Sequence, residues 1–265
     1  MKISVVLTTT KETVMSAEII VGEHMRSLGL SGALLEFNRQ KNEPASLSLS
    51  FDERLAMILS AQVDLRINRR IARRTKEAEL KILADPTEID YLADRGMTRA
   101  YMAEILSLNF MRRNHNLLVT GSTGTGKTFV ICAIGTAAIN YGYTVRYWRL
   151  SHLLEAITIA RADGTYKALL AGIRSRDLIL IDDFGLAPIP SRGSRELLDI
   201  LDERIGKGST IISSQLPVGA WYQSFEEATV ADSILDRLIH DSLKIEMKGE
   251  SMRKLLAKQT IDVSD

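Results

Sequence analysis

The stretch Gly121-Ser122-Thr123-Gly124-Thr125-Gly126-Lys127-Thr128 satisfies the spacing G-x-x-x-x-G-K-[ST] at every position, and few folds can carry it. Successive backbone N–H groups must curl around phosphate oxygens, and glycines let the main chain approach without a Cβ in the way. The flanks have the required character. Asn116 to Thr120 reads as a short buried strand, and Phe129 to Ile134 begins an apolar helix whose positive dipole end faces the same phosphates. In that frame all eight residues line a nucleotide phosphate site: Lys127 reaches the β- and γ-phosphates, and Thr128 offers its hydroxyl to Mg²⁺.

Downstream, strand and helix alternate. Strands are expected at Thr144–Trp148, Leu178–Ile181, Thr210–Gln215 and Leu243–Met247, with helices between them. Four aliphatic residues, Leu178 to Ile181, run into Asp182-Asp183. A strand that apolar is buried on both faces, so both carboxylates emerge at its carboxyl end, where ligands bind in open α/β sheets. Asp182 is the expected Mg²⁺ ligand, directly or through water, and Asp183 is placed to orient an attacking water. Ser214 and Gln215 end the next strand with polar groups within reach of a γ-phosphate. The expected fold is a five-stranded parallel α/β sheet of the P-loop NTPase type, residues 86–265, behind a small all-helical domain, residues 1–85, with the boundary at Asp85-Pro86.

That helical domain carries the local charge. The chain of 265 residues has a net charge of only +1, so overall charge gives no sign of nucleic acid and any basic surface must be local. On the helix expected from Phe51 to about Leu83, Arg66, Arg69, Arg70 and Arg73 fall within an arc of roughly 100°, with Arg74 beside them and Ile67 and Ile71 on another face. Such a guanidinium ridge suits a nucleic-acid backbone. The other reading is a solvated face paired with Asp64, Glu77 and Glu79. Earlier, two short helices are expected to break near Gly29, and Leu55, Met57, Ile58 and Leu59 are the expected core of the long helix. A further helix is expected from Arg95 to Arg113. The single cysteine, Cys132, reads as packing, and His24, His115, His152 and His240 have no metal-ligand spacing. Trp148 and Trp221 read as core residues, with base stacking the other reading. Without a leader pattern or an apolar run of membrane length, the expectation is a soluble, cytoplasmic protein with no membrane partner.

From about Phe51 onward the sequence resembles the IstB family, transposition helper ATPases of insertion sequences related to the DnaC and DnaI helicase loaders within the AAA+ class. The likeness rests on Phe51-Asp52-Glu53-Arg54-Leu55, the run Arg69-Arg70-Ile71-Ala72-Arg73-Arg74, Gly124-Thr125-Gly126-Lys127-Thr128, Leu180-Ile181-Asp182-Asp183-Phe184-Gly185, Ser213-Ser214-Gln215-Leu216-Pro217 and Asp236-Arg237-Leu238. The resemblance implies that Ser214 or Gln215 is the first sensor and Arg237 an arginine finger for a neighbouring subunit's nucleotide, hence a homo-oligomer joined through ATP sites. It assigns Arg253 as a further phosphate sensor, ATP and Mg²⁺ as cofactors, and duplex DNA, bound largely without sequence preference, and an IstA-type transposase as partners. The alternative for Arg237 is a surface pair with Asp232 or Asp241. Asp183 stands where many AAA+ proteins have glutamate, and its shorter reach implies slow hydrolysis dependent on assembly or DNA. Two other functions compete: a helicase loader of the DnaC/DnaI type, and a small-molecule kinase using the same loop.

Overall fold

The computed structural model describes residues 11–91 and 95–252. The chain divides into two compact units, Met1–Ala72 and Arg73–Asp265, so the division falls inside a helix and not at Asp85-Pro86. The reason is local. The last turn of that helix is tied to the second unit, where Arg176 pairs with Glu77 at 3.2 Å, Arg146 donates to the Glu77 carbonyl at 3.0 Å and Ala78 is fully buried.

The first unit is built from α1 (Lys11–Ser27), α2 (Ser31–Asn42) and the larger part of α3 (Phe51–Ala78). Gly29 takes φ +67° and turns the chain between α1 and α2. Ser50 and Glu53 form a capping box that starts α3: the Glu53 carboxylate accepts from Ser50 N at 2.8 Å and Glu53 N donates to Ser50 Oγ at 3.3 Å. Two buried amides join α2 to α3. Gln62 Oε1 accepts from Gly32 N at 2.8 Å and Ala33 N at 3.2 Å, satisfying N–H groups at the start of α2, and Gln40 donates to the Arg54 carbonyl at 3.1 Å. The expected core of α3 is corrected here. Ile58 is buried, whereas Leu55, Met57 and Leu59 are exposed, because within the first unit α3 turns the face of Arg54, Ile58 and Gln62 toward α2. α3 also ends at Ala78, ahead of Leu83, where Glu79 enters the left-handed region at φ +49°.

The second unit opens with α4 (Arg99–Leu106) and α5 (Asn109–Arg112). One helix was expected over this stretch; buried Leu108, at φ +58°, breaks it and turns Phe110 and Met111 into the core. The strands β1 (Asn116–Gly121), β2 (Val145–Arg149), β3 (Leu178–Phe184), β4 (Ser209–Ser214) and β5 (Ser242–Met247) pair only in parallel, in the order β2-β3-β4-β1-β5. Helices α6 (Lys127–Tyr141), α7 (Leu150–Ala162), α8 (Tyr166–Arg174), α9 (Ser191–Arg204) and α10 (Ala228–Ile239) connect them.

Two features of this layout position the site. α6 is apolar around most of its circumference and fully buried at Ile131, Cys132, Ala133 and Ile134, so the helix after the phosphate loop is an inner element held on several sides. The strand order inserts β4 between β1 and β3, with Val119 opposite Ser213 and Ile181 opposite Ile212. The ends of all three strands therefore converge. Trp221 is fully buried, packs on Phe184 with centroids 4.7 Å apart and donates to the Leu216 carbonyl, which makes it core. Trp148 is partly buried, with Arg146 stacked over it at 4.8 Å. No described helix is long and apolar enough to cross a membrane.

Candidate nucleotide site

The loop between β1 and α6 is shaped by its glycines. Gly124 and Gly126 take φ +85° and +96°, and Gly121 +152°. A Cβ on Gly121 would collide with the Met247 carbonyl oxygen, and one on Gly124 with the Ser251 side chain, so substitution is blocked by space as well as by backbone conformation. Thr125 is fully buried and ties the loop to itself by donating from Oγ1 to the Ser122 carbonyl at 2.9 Å. Lys127 Nζ donates to the carbonyls of Gly121 and Ser122, both at 2.8 Å. Burial lowers its pKa from the ordinary lysine value, while Asp182 and Asp183 act in the opposite sense.

Asp182 is the hub. Its side chain is almost wholly buried, and Oδ2 accepts from Thr128 Oγ1 at 2.8 Å and Tyr147 OH at 2.9 Å, with Lys81 Nζ 3.9 Å away. Oδ1 accepts from Ser213 Oγ and from Asp183 N at 3.0 Å. Burial and the Asp182 charge push the Tyr147 phenol well above its ordinary value, which keeps it a neutral donor. A hydroxyl and a carboxylate side by side, all-oxygen and only two in number, suit Mg²⁺, which keeps waters and takes phosphate oxygens to complete its shell. Among the described residues no group of three or more His, Cys, Asp or Glu forms a separate metal cage.

Asp183 is strained. It sits at φ +59°, at the point where the pairing of β3 with β4 shifts register, and its Oδ2 pairs with Arg149 Nε at 2.7 Å. The two polar ends of β4 separate by strand alternation. Ser213 faces Asp182, while Ser214 faces the other way, donating to the Phe184 carbonyl at 2.6 Å and accepting from Leu216 N at 3.1 Å. Gln215 reaches the phosphate loop, where its Oε1 accepts from Thr123 Oγ1 at 2.5 Å. Ser214→Ala is accordingly expected to lower stability by about 1–3 kcal/mol through an orphaned buried carbonyl and amide, with ATP turnover per folded molecule unchanged. Ser213→Ala is expected to alter turnover several-fold, with a stability loss of similar size because its hydroxyl donates to the buried Asp182 carboxylate. Thermal melts beside turnover assays check the pair, and a reversed pattern would put the sensor on Ser214.

Arg237 lies far from this cluster within its own chain. Its main-chain carbonyl accepts from Asn116 Nδ2 at 3.0 Å. Asn116 begins β1 and Gly121 ends it, so at about 3.3 Å per residue the two ends are roughly 16 Å apart. The guanidinium pairs with Asp202 on α9 and donates to the Ser233 carbonyl at 2.7 Å, so neither Asp232 nor Asp241 is its partner. It borders a cavity of about 380 Å³ with Arg113, His115, Asp236 and His240. Arg253 lies outside the described residues.

On α3, Arg66, Arg69, Arg70 and Arg73 are exposed. Among the described residues the first three have no acidic partner, and Arg73 meets Glu77 only at 3.8 Å. Arg74 differs: it is half-buried and donates to the Gly142 carbonyl at the end of α6.

Several residues here escaped sequence reading. Tyr147, Lys81 and Arg149 reach the acid pair from segments with no motif. Beside Thr125 and Gly126 opens an apolar cavity of about 240 Å³, lined by Ile89, Met97, Phe129, Val130, Met247 and Met252. Arg95 stands at its edge, buried, donating to the Thr125 carbonyl at 3.1 Å, with Nε unpartnered among the described residues.

A parallel sheet of this order, with the phosphate loop after β1, an acid pair ending β3 and polar groups ending β4, defines an ATP-binding P-loop module of the AAA+ class. The chain belongs to the IstB-like ATP binding protein family, whose model matches residues 23–260. It is 35% identical over 232 residues to the putative insertion sequence ATP-binding protein y4pL of Sinorhizobium fredii, covering 88% of this chain and 95% of that one. It is 38% identical over 194 residues to the insertion sequence IS1162 putative ATP-binding protein of Pseudomonas fluorescens, covering 73% and 84%. Among solved structures it is similar in fold to DnaI, with TM-score 0.56, 21% identity and coverage of 62% of this chain and 91% of that one. It is also similar in fold to AMPPCP-bound DnaA from Aquifex aeolicus, with TM-score 0.55, 20% identity and coverage of 69% and 56%.

Proposed function

We propose that this protein is an ATP-dependent helper of DNA transposition: subunits join through ATP, bind target duplex through α3, and recruit and stimulate a transposase of the IstA type. Hydrolysis resets the assembly. Membership of the IstB-like family and relatives named for insertion sequences support the setting. The observation that carries the reading is Arg237, about a strand's length from its own phosphate loop, so that a finger role demands the next subunit.

In this reading Lys127 leaves the loop carbonyls for the β- and γ-phosphates, the loop N–H groups cradle the phosphates, and the apolar cavity beside Thr125 takes the adenine. Thr128 and Asp182 would hold Mg²⁺, which would supply neutralisation of the phosphate charge. Asp183 orients the attacking water once freed from Arg149, and Gln215, or Ser213 in place of Ser214, senses the γ-phosphate. Arg237 of a neighbour stabilises charge developing on the transferred phosphoryl group. An acid held in an ion pair and short by one methylene fits slow, assembly-dependent turnover.

The test is molar mass by light scattering with duplex or single-stranded DNA, each with and without ATP and Mg²⁺. A large species that requires ATP and prefers duplex is expected. Assembly only on single strands would favour the helicase-loader reading, for which the DnaI-like fold is the supporting observation. The DNA contact has its own check. Replacing Arg69 and Arg70 together with alanine is expected to weaken binding to all duplex sequences alike and to reduce the slope of log affinity against log salt by about 2. An unchanged slope would leave the ridge a solvated face.

A further inference from the structure

The segment leaving α3 runs along one face of α6 and ends at the metal site. On α6, Thr128, Cys132 and Gly135 are spaced i, i+4, i+7 and share that face. Leu80 packs at Gly135, where an added Cβ would stand 3.2 Å from its Cδ2, and the backbone N–H groups of Lys81 and Ile82 lie against the Cys132 sulfur. From there Lys81 extends to Nζ 3.9 Å from Asp182 Oδ2, the oxygen that also accepts from Thr128. The strap begins at Glu79, one of four described non-glycine residues with positive φ, held there by Arg146, which pairs with its carboxylate at 2.5 Å. Backbone in that region persists only where neighbours impose it, and such positions recur in switch segments.

Lys81 is thus a flexible cation, its side chain 46% exposed, beside a nearly buried carboxylate. A divalent ion on Thr128 and Asp182 would bring two positive charges within a few ångströms of its ammonium, where repulsion is strong because the site is partly shielded from water. Without that ion the same ammonium, beside Asp182, is a second cation after Lys127 that can offset nucleotide phosphate. We propose that Lys81 is a stand-in cation for the metal site: it offsets phosphate charge when Mg²⁺ is absent and gives way when Mg²⁺ is bound, loosening strap 79–82 and so signalling nucleotide state to α3. This rests on the assignment of Thr128 and Asp182 as the Mg²⁺ site, and it adds the route by which occupancy reaches the helix bearing the arginine ridge.

The test is calorimetric affinity for AMPPCP with Mg²⁺ and with EDTA, for wild type, Lys81→Ala and Lys81→Arg, folding being checked by circular dichroism. Lys81→Ala is expected to lose affinity chiefly in EDTA, so that the ratio of affinities with and without Mg²⁺ rises about tenfold, while Lys81→Arg stays near wild type. A ratio equal to wild type, whether both affinities fall or neither does, overturns the proposal, because a structural residue or a plain phosphate ligand would act on both. Hydrogen exchange gives the second reading. Amides 79–82 of wild type are expected to exchange faster with Mg²⁺ and AMPPCP than with AMPPCP and EDTA, and those of Lys81→Ala to be fast throughout; exchange unaffected by Mg²⁺ in wild type overturns the relay. Failure of wild type to bind duplex DNA would remove the transposition reading and leave these ratios standing. Failure to bind AMPPCP at all would overturn both.

Discussion

Lys127→Ala is expected to weaken AMPPCP binding by at least about a hundredfold and to abolish ATP-dependent assembly on duplex DNA. The ammonium belongs to the first residue of α6, and it already stands 2.8 Å from the two loop carbonyls that flank the phosphate path. Each charge-assisted bond it would make to phosphate contributes about 1.5–3 kcal/mol, and two such bonds correspond to roughly a hundredfold or more in affinity. The change should not unfold the chain. Alanine is a good residue for the first turn of a helix, and the carbonyls released at Gly121 and Ser122 lie at a partly exposed loop that water can reach. Melting temperature without ligand should stay close to wild type, while the rise that AMPPCP causes in wild type by linkage disappears. Assembly on DNA with ATP at wild-type strength would sever the proposed link between nucleotide and oligomer.

Arg237→Ala is expected to reduce kcat by about a thousandfold, the lower end of the range for a finger supplied in trans, with AMPPCP affinity unchanged. The lost pair with Asp202 is partly exposed on both sides, so its removal costs at most about 1 kcal/mol. Mixing separates a finger from a structural residue. Lys127→Ala subunits hold no nucleotide yet keep Arg237, and Arg237→Ala subunits hold nucleotide yet lack the finger. An equimolar mixture should recover turnover that neither variant has alone. No recovery, with assembly intact, would argue against action across subunits, and an Arg237→Ala protein at full rate would remove the role altogether.

The parts that could be read from sequence share one property: their chemistry is contained in a short run of chain. Glycine spacing dictates the loop because the positive φ values at Gly121, Gly124 and Gly126 are local demands of the turn itself. Four aliphatics before Asp182-Asp183 could only be a buried strand ending in acids, and β3 is that strand. The break at Gly29 and the alternation of β1 to β5 with helices followed from the same short-range patterns. Where the outcome depended on what a segment meets, periodicity was insufficient. Leu55, Met57 and Leu59 have helical spacing, yet only Ile58 among them finds a neighbour to bury it. The stretch around Leu108 is helical by composition but bends because Phe110 and Met111 are drawn inward.

By itself, then, the sequence determined the phosphate loop, the acid pair, the parallel α/β architecture, the arginine ridge of α3 and the family. Tertiary structure alone decided which side chains surround Asp182. Tyr147 arrives from β2, Ser213 from β4 and Lys81 from the segment after α3, 35, 31 and 101 residues away in sequence. It also decided that Ser213 and not Ser214 faces the acid, since one residue of register in β4 exchanges the two faces, and that Arg237 stands at the far end of the sheet from its own loop. The physical reason is the same in each case. A motif records constraints between residues close in the chain, whereas the charge, hydrogen bonds and burial acting on a site are set by strand order and helix packing, which bring together residues that share no local pattern.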